Sequence, residues 1–233
     1  MSGSTRGNNL TLFDLDGTLI ATDSDHSFGE FMIEQGWADG GAFRRRNDEF
    51  YADYQAGTLD QAAYIEFATA PWRDRPEPEL LAARVRFVNE KIVPALPAAS
   101  LELVRRHQAA GDRVAIVTAT SEFITRPIAD LIGVPELVAL QLERDTTGRV
   151  TGRIRGVPTF RDGKVVRVKQ WLAAAGLQAS DFDRITVYGD STNDLPLLEW
   201  GSHPVATNPG PALAAIARQR DWPILRLFGP EEE

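Results

Sequence analysis

Cysteine is absent from the 233 residues, so disulfides, thiolate metal sites and cysteine nucleophiles are excluded. Of the three histidines, His107, on an expected exposed helix, and His203, in a loop, have no sequence neighbours that suggest a metal site. No apolar run approaches the roughly 20 residues that a membrane-spanning helix needs. No secretory signal is visible either, because residues 1–9 are small and polar and read as a disordered leader. Basic residues are outnumbered, with 25 Lys and Arg against 33 Asp and Glu and a net charge of −8. That balance argues against nucleic-acid binding, which needs a basic face. It does not exclude a phosphorylated small molecule, because a pocket's local field matters more than net charge. A cytoplasmic location fits these features, and residues 231–233 read as a solvated acidic tail. What is present is ordinary for a globular chain, long enough for one core domain with a smaller insert.

Three short runs, 10–15, 113–118 and 184–188, are apolar and rich in β-branched or aromatic residues, and each ends in polar residues. Buried parallel strands look like this, with function at their carboxyl ends. Helical patterns at 98–110 and 164–175 precede the second and third runs, so the fold class is α/β: a Rossmann-like three-layer α/β/α core with a parallel sheet. Between the first two strands the rhythm breaks. Residues 27–35, 42–54, 59–68 and 78–92 have apolar positions at helical spacing, Phe28, Phe31 and Met32 among them. This stretch is too long for a βα connection and predicts an inserted helical bundle, a cap. The expected division is a core of residues 10–20 and 97–229, and a cap of 21–96. Residues 140–157 alternate around Thr146-Thr147-Gly148 and predict a β-hairpin.

Asp14-Leu15-Asp16-Gly17-Thr18 follows the first strand. Two carboxylates separated by one residue repel when both are ionised in a shared site, and a divalent cation or a proton removes the conflict. Magnesium prefers such oxygen ligands with a substrate phosphate completing its shell. Alone, the tetrapeptide is equally compatible with an acidic turn. The third strand adds Gly189-Asp190-Ser191-Thr192-Asn193-Asp194, a second acidic cluster on a neighbouring loop. An Asx turn or helix cap there is the structural alternative. Thr118 at the second strand end and Lys164 at a helix start offer a hydroxyl and a positive charge, which a phosphoryl group in transit requires. Lys169, more than a turn further on, is the weaker choice.

These four motifs, in this order, resemble the haloacid dehalogenase superfamily of phosphatases, and the helical insertion resembles the cap of its phosphoserine-phosphatase-like branch. The resemblance covers residues 10–227. It implies that Asp14 is the nucleophile and forms an aspartyl-phosphate, with Asp16 as acid and then base. It also implies that Mg2+ is held by Asp14, the Asp16 carbonyl and Asp190, with Asp194 behind them, while Thr118, Lys164 and Asn193 hold phosphate. The expected partner is a small soluble phosphate ester, and amino-alcohol phosphates, phosphoserine or L-histidinol phosphate, lead. Asp23, His26 and Arg73 are the cap candidates for specificity. Asp23 lies where the branch places an acidic residue that contacts a substrate amine, and Asp25 or Ser24 is expected to cap the first cap helix. Two alternatives carry other outcomes: a phosphotransferase or mutase, and a silent binding protein that keeps the fold. The four aspartates weigh against the last.

Overall fold

A computed structural model describes residues 8–229, so the acidic tail and residues 1–7 of the expected leader lie outside the described part. Strand β1 (Asn9–Phe13) opens the fold. The last two leader residues are therefore structured, and the Asn8 amide N–H donates to Asp183 at 3.1 Å. A helical stretch follows: α1 (Ser24–Glu34), α2 (Ala42–Ala56), α3 (Gln61–Thr69) and α4 (Glu77–Phe87), which runs on into a π turn at Val88–Ile92. Then come α5 (Ala98–Ala110), β2 (Arg113–Ser121), α6 (Glu122–Ile132), β3 (Glu136–Leu140), and the two-stranded hairpin of β4 (Leu142–Arg144) and β5 (Val150–Ile154). The chain closes with α7 (Asp162–Ala174), β6 (Arg184–Gly189), α8 (Leu195–Trp200), β7 (His203–Thr207), α9 (Pro211–Gln219) and β8 (Ile224–Leu225).

Six strands form one parallel sheet in the order β3-β2-β1-β6-β7-β8. Side chains alternate across a strand, and here both faces are covered. Leu10, Leu12, Ala115, Val117, Ile185 and Val187 face α7, α8 and α9 through Val168, Leu172, Leu197, Leu198, Leu213 and Ala217. Phe13, Val114, Ile116 and Tyr188 face the other way, against α5 and α6. That double burial explains why the strands read as near-continuous apolar runs. Among the described residues no helix is long and apolar enough to cross a membrane.

The helical stretch between β1 and α5 packs by its base on the α6 face of the core. Phe28, Phe31, Met32, Trp72, Phe87 and Ile92 share one buried cluster with Ile124 and Ile128 of α6, and Trp72 stacks on Phe123 with ring centroids 4.1 Å apart. Burying aromatics of this size contributes about 1.5–3 kcal/mol each. The way in and the way out lie side by side, since the Ala21 amide donates to the Ala95 carbonyl at 2.7 Å.

Candidate active site

β1 lies between β2 and β6, so the ends of these three strands meet. The Asp14 amide donates to the Tyr188 carbonyl at 2.9 Å, extending the ladder by one residue and placing its carboxyl beside the β6 loop. The chain then turns sharply. Gly17 has φ +75°, and a Cβ built on it would lie 2.5 Å from an Asp190 carboxylate oxygen, so glycine is needed for both conformation and space. The Asn208 amide holds this turn by donating to the carbonyls of Gly17 and Thr18 at 3.0 and 3.1 Å.

Lys164 sits in the first turn of α7 and is fully buried. Its helix starts against Pro158, whose carbonyl leaves no room for a Cβ at Gly163. The Lys164 ammonium donates to Asp14 at 2.6 Å and to Asp194 at 2.5 Å. Burial pulls the ammonium's pKa down, but the charges of Asp14 and Asp194 outweigh it, and the pKa is raised. Lys169, by contrast, is exposed. Burial is also the main cause that pushes Asp14 up to about 8; Asp194 adds to it and Lys164 opposes it. Asp190 is raised well above its usual range by burial, then by Asp194 and Asp14.

Carboxylate oxygens of Asp14, Asp190 and Asp194 all lie within 4.8 Å of one another. One ammonium against three carboxylates leaves an excess of buried negative charge. An all-oxygen donor set with that excess fits a hard divalent cation such as magnesium. Asp194 occupies the N-cap position of α8 without capping that helix, and its side chain instead closes a capping box with Ser191 over the short turn Thr192–Asp194. Its oxygens accept from Lys164 and from the Ser191 amide.

Asp16 points the other way, towards the helical stretch. It accepts from the Ser24 amide at 2.7 Å and from the Thr120 hydroxyl at 2.9 Å. Burial first, and Asp23 second, push its carboxyl up to about 7. Thr118 is buried, and its hydroxyl oxygen accepts from the Thr120 amide at 3.1 Å. Thr120 was not singled out in the sequence, although it stands two residues after Thr118, a spacing that puts both on one side of an extended strand.

Several positions differ from the sequence reading or add to it. Asn193, expected to bind phosphate, donates its amide nitrogen to the Tyr54 carbonyl at the end of α2, at 3.0 Å. Arg73 does not reach this region; it lies against Thr69 and Gly152 in a groove with Trp72, Arg75 and Arg149. The cap of α1 is Asp23, whose carboxylate accepts from the His26 amide at 2.8 Å, rather than Asp25 or Ser24. His107 also differs from its reading as exposed, being held between Asp112 and the Tyr188 hydroxyl. His26 lines the cavity and pairs with Asp48 at 2.9 Å.

Two spaces adjoin the carboxylates and share Asp23, Tyr51 and Tyr54 as a wall. The outer one, about 560 Å³, opens to solvent beside Asp16, Gly17 and Asp190. The inner one lies under α2 and α3 and reaches Ala119 and Thr120 of β2. It is the narrower of the two, about 40 Å³, and α2 and α3 form its roof. Polar ties hold those helices down: Asn193 to Tyr54, and Arg161 to the Gly57 carbonyl at 2.9 Å.

The family model of haloacid dehalogenase-like hydrolases matches residues 11–199. A histidinol-phosphatase of Neisseria meningitidis serogroup C is 40% identical over 219 residues, covering 94% of this chain and 99% of that one. Phosphoserine phosphatase SerB1 of Mycobacterium tuberculosis is 30% identical over 215 residues, 91% of this chain and 68% of the other. Among solved structures, a protein of unknown function from Bordetella pertussis Tohama I superimposes with TM-score 0.89 at 44% identity, over 95% of this chain and all of that one. A phosphoserine phosphatase solved as a phospho-aspartyl intermediate analogue shares the fold, with TM-score 0.66 at 18% identity over 95% and 94% of the two chains.

Proposed function

The chain belongs to the haloacid dehalogenase-like hydrolases and is a phosphatase of small phosphate esters, and on that premise we propose that it hydrolyses L-histidinol phosphate, with magnesium, through a phosphoryl group carried on Asp14. The observation that carries the proposal is the buried set of Asp14, Asp190, Asp194 and Lys164 at adjoining strand ends.

In this reading an Asp14 oxygen attacks phosphorus, the bond from phosphorus to the substrate's alcohol oxygen breaks, and Asp16 gives that oxygen its proton. A carboxyl pushed up to about 7 carries a proton near neutral pH and can take one back. Ionised after the first step, Asp16 then removes a proton from water, whose oxygen attacks phosphorus. The Asp14–phosphorus bond breaks, and both the nucleophile and inorganic phosphate are released. Lys164 and the Thr118 hydroxyl hold phosphate oxygens. Asp14, Asp190 and the Asp16 carbonyl would hold magnesium, with Asp194 supporting; when bound, the ion supplies positive charge that draws and steadies the phosphate.

The preference for histidinol phosphate over phosphoserine rests on the relative's name and on the lining of the inner pocket. No lysine or arginine lines that pocket among the described residues, whereas Asp23 and Asp25 do. A leaving group bearing its own carboxylate would meet two carboxylates there, beside His26, which is already paired with Asp48. The test is phosphate release from L-histidinol phosphate, O-phosphoserine and a wider ester panel, with magnesium and with chelator. We expect magnesium-dependent release that favours L-histidinol phosphate; no release from that ester, or a preference for phosphoserine, contradicts the proposal. Capture of phosphate by added alcohol in preference to water would make the protein a transferase.

A further inference from the structure

Asp23, the cap of α1, and Asp25, in its first turn, are two residues apart but meet different surroundings. Asp23 caps α1 and lies in the wall between the outer and inner spaces, next to the reacting carboxylates. Asp25 borders only the inner pocket of those two, where Tyr64 of α3 lines the wall with it. Two tyrosines mark the direction of the pocket. The Tyr54 hydroxyl, raised first by burial, next feels Asp14, Asp194 and Asp190. The Tyr64 hydroxyl, raised likewise by burial, next feels Asp25, Asp23 and Asp16. Tyr54 borders both spaces, the outer one together with Asp16 and Asp190, whereas Asp25 and Tyr64 border only the inner of the two, so Tyr54 is at the phosphate end and Asp25 with Tyr64 at the far end. Phe50 and Tyr51 supply aromatic faces between them.

We propose that Asp25, which shares the pocket wall with Tyr64, is the specificity residue that accepts a hydrogen bond from a second nitrogen group of the substrate, the ring N–H of an imidazole, while Asp23 meets the amine nearer the phosphate. This deepens the proposed function and rests on it for the identity of the ester. A carboxylate accepts at several lone-pair sites, so Asp25 has room for an N–H. Burial raises Asp25 well above its usual range, with Asp23 adding to the shift, so an incoming positive or N–H group meets an under-compensated carboxyl. Flanking aromatic faces favour the same guest, a flat ring that carries partial positive charge. A substrate with only one nitrogen would satisfy Asp23 and leave Asp25 unpaired.

The experiment compares the wild type with Asp25→Asn and Tyr64→Phe, using L-histidinol phosphate and O-phosphoethanolamine, which has a single amine. Calorimetric titration with L-histidinol and with ethanolamine reads binding without turnover. Asp25→Asn should lower kcat/KM for L-histidinol phosphate roughly 10- to 100-fold, mainly through KM, the worth of one charge-assisted hydrogen bond. For O-phosphoethanolamine the change should stay within about twofold. Tyr64→Phe keeps the carboxylate but removes the hydroxyl from the pocket wall it shares with Asp25, and should show the same selectivity loss at roughly threefold to tenfold. If either variant lowers kcat/KM for both esters equally, or leaves their ratio unchanged, the inference is overturned. Should Asp25→Asn fail to fold, Tyr64→Phe decides. Wild-type protein that binds L-histidinol but does not hydrolyse its phosphate would sink the proposed function and keep the inference; no binding of L-histidinol overturns the inference.

Discussion

The strand ends and the helices above them line the same two spaces but are built in opposite ways. At the strand ends every charged group is fixed by backbone that cannot shift: Asp14 extends a ladder, Lys164 is fully buried, and Gly17 leaves no room beside Asp190. Over the pocket, the end of α2 meets the core through polar ties to Asn193 and Arg161 and one ring contact of Tyr54 with Phe160, while the base of the helical stretch is bound by a shared apolar cluster. Rigidity therefore sits where electrostatic preorganisation matters, and looseness where a substrate has to enter. Chemistry and selection are separable in this molecule, and mutations should reveal it.

Asp14→Asn tests the rigid side and should produce the largest effect. Turnover of every ester should fall by more than about 10⁴-fold, since the nucleophile is gone; steady-state phosphate release checks it, and a loss confined to one substrate breaks the comparison. Lys164→Met comes next. It leaves Asp14 and Asp194 buried without their cation, and removing one partner of a buried ionic set costs about 3–5 kcal/mol. Denaturant unfolding should show that loss alongside the loss of activity.

Asn193→Ala sharpens the other side. It removes one tie, worth about 1 kcal/mol, between core and cap. We expect a several-fold fall in kcat/KM for all esters alike, with faster amide exchange at the end of α2 and the core unchanged. The smallest effect is at Asp23, in its role as a helix cap. Asp23→Ala should destabilise by about 0.5–2 kcal/mol through the lost N-cap bond to His26, seen as a Tm a few degrees lower. Whatever it does beyond that to amine-bearing esters measures Asp23 as a ligand contact.

The same contrast governs what could be read from sequence. Strands β1, β2 and β6 were legible because burial on both faces forces apolar, β-branched runs, and the chemistry behind them demands aspartates and a lysine in a fixed order. The cap helices were legible as helices, but not as walls of a pocket. Asp25 looked like a candidate cap because polar residues at a helix start usually are; only the fold brings it into one pocket wall with Tyr64. Arg73 looked like a substrate contact because arginine suits carboxylates, and the hairpin strand β5 draws it elsewhere. Asn208, which supports the Gly17 turn from a distant loop, carries no pattern in sequence at all.

The most direct test of the account is to stop turnover of L-histidinol phosphate with acid and determine by peptide mass spectrometry which residue carries phosphate. The account predicts one phosphoryl group on Asp14, absent from Asp14→Asn. Phosphate on another residue, or a variant lacking Asp14 that still turns over at the wild-type rate, would contradict it.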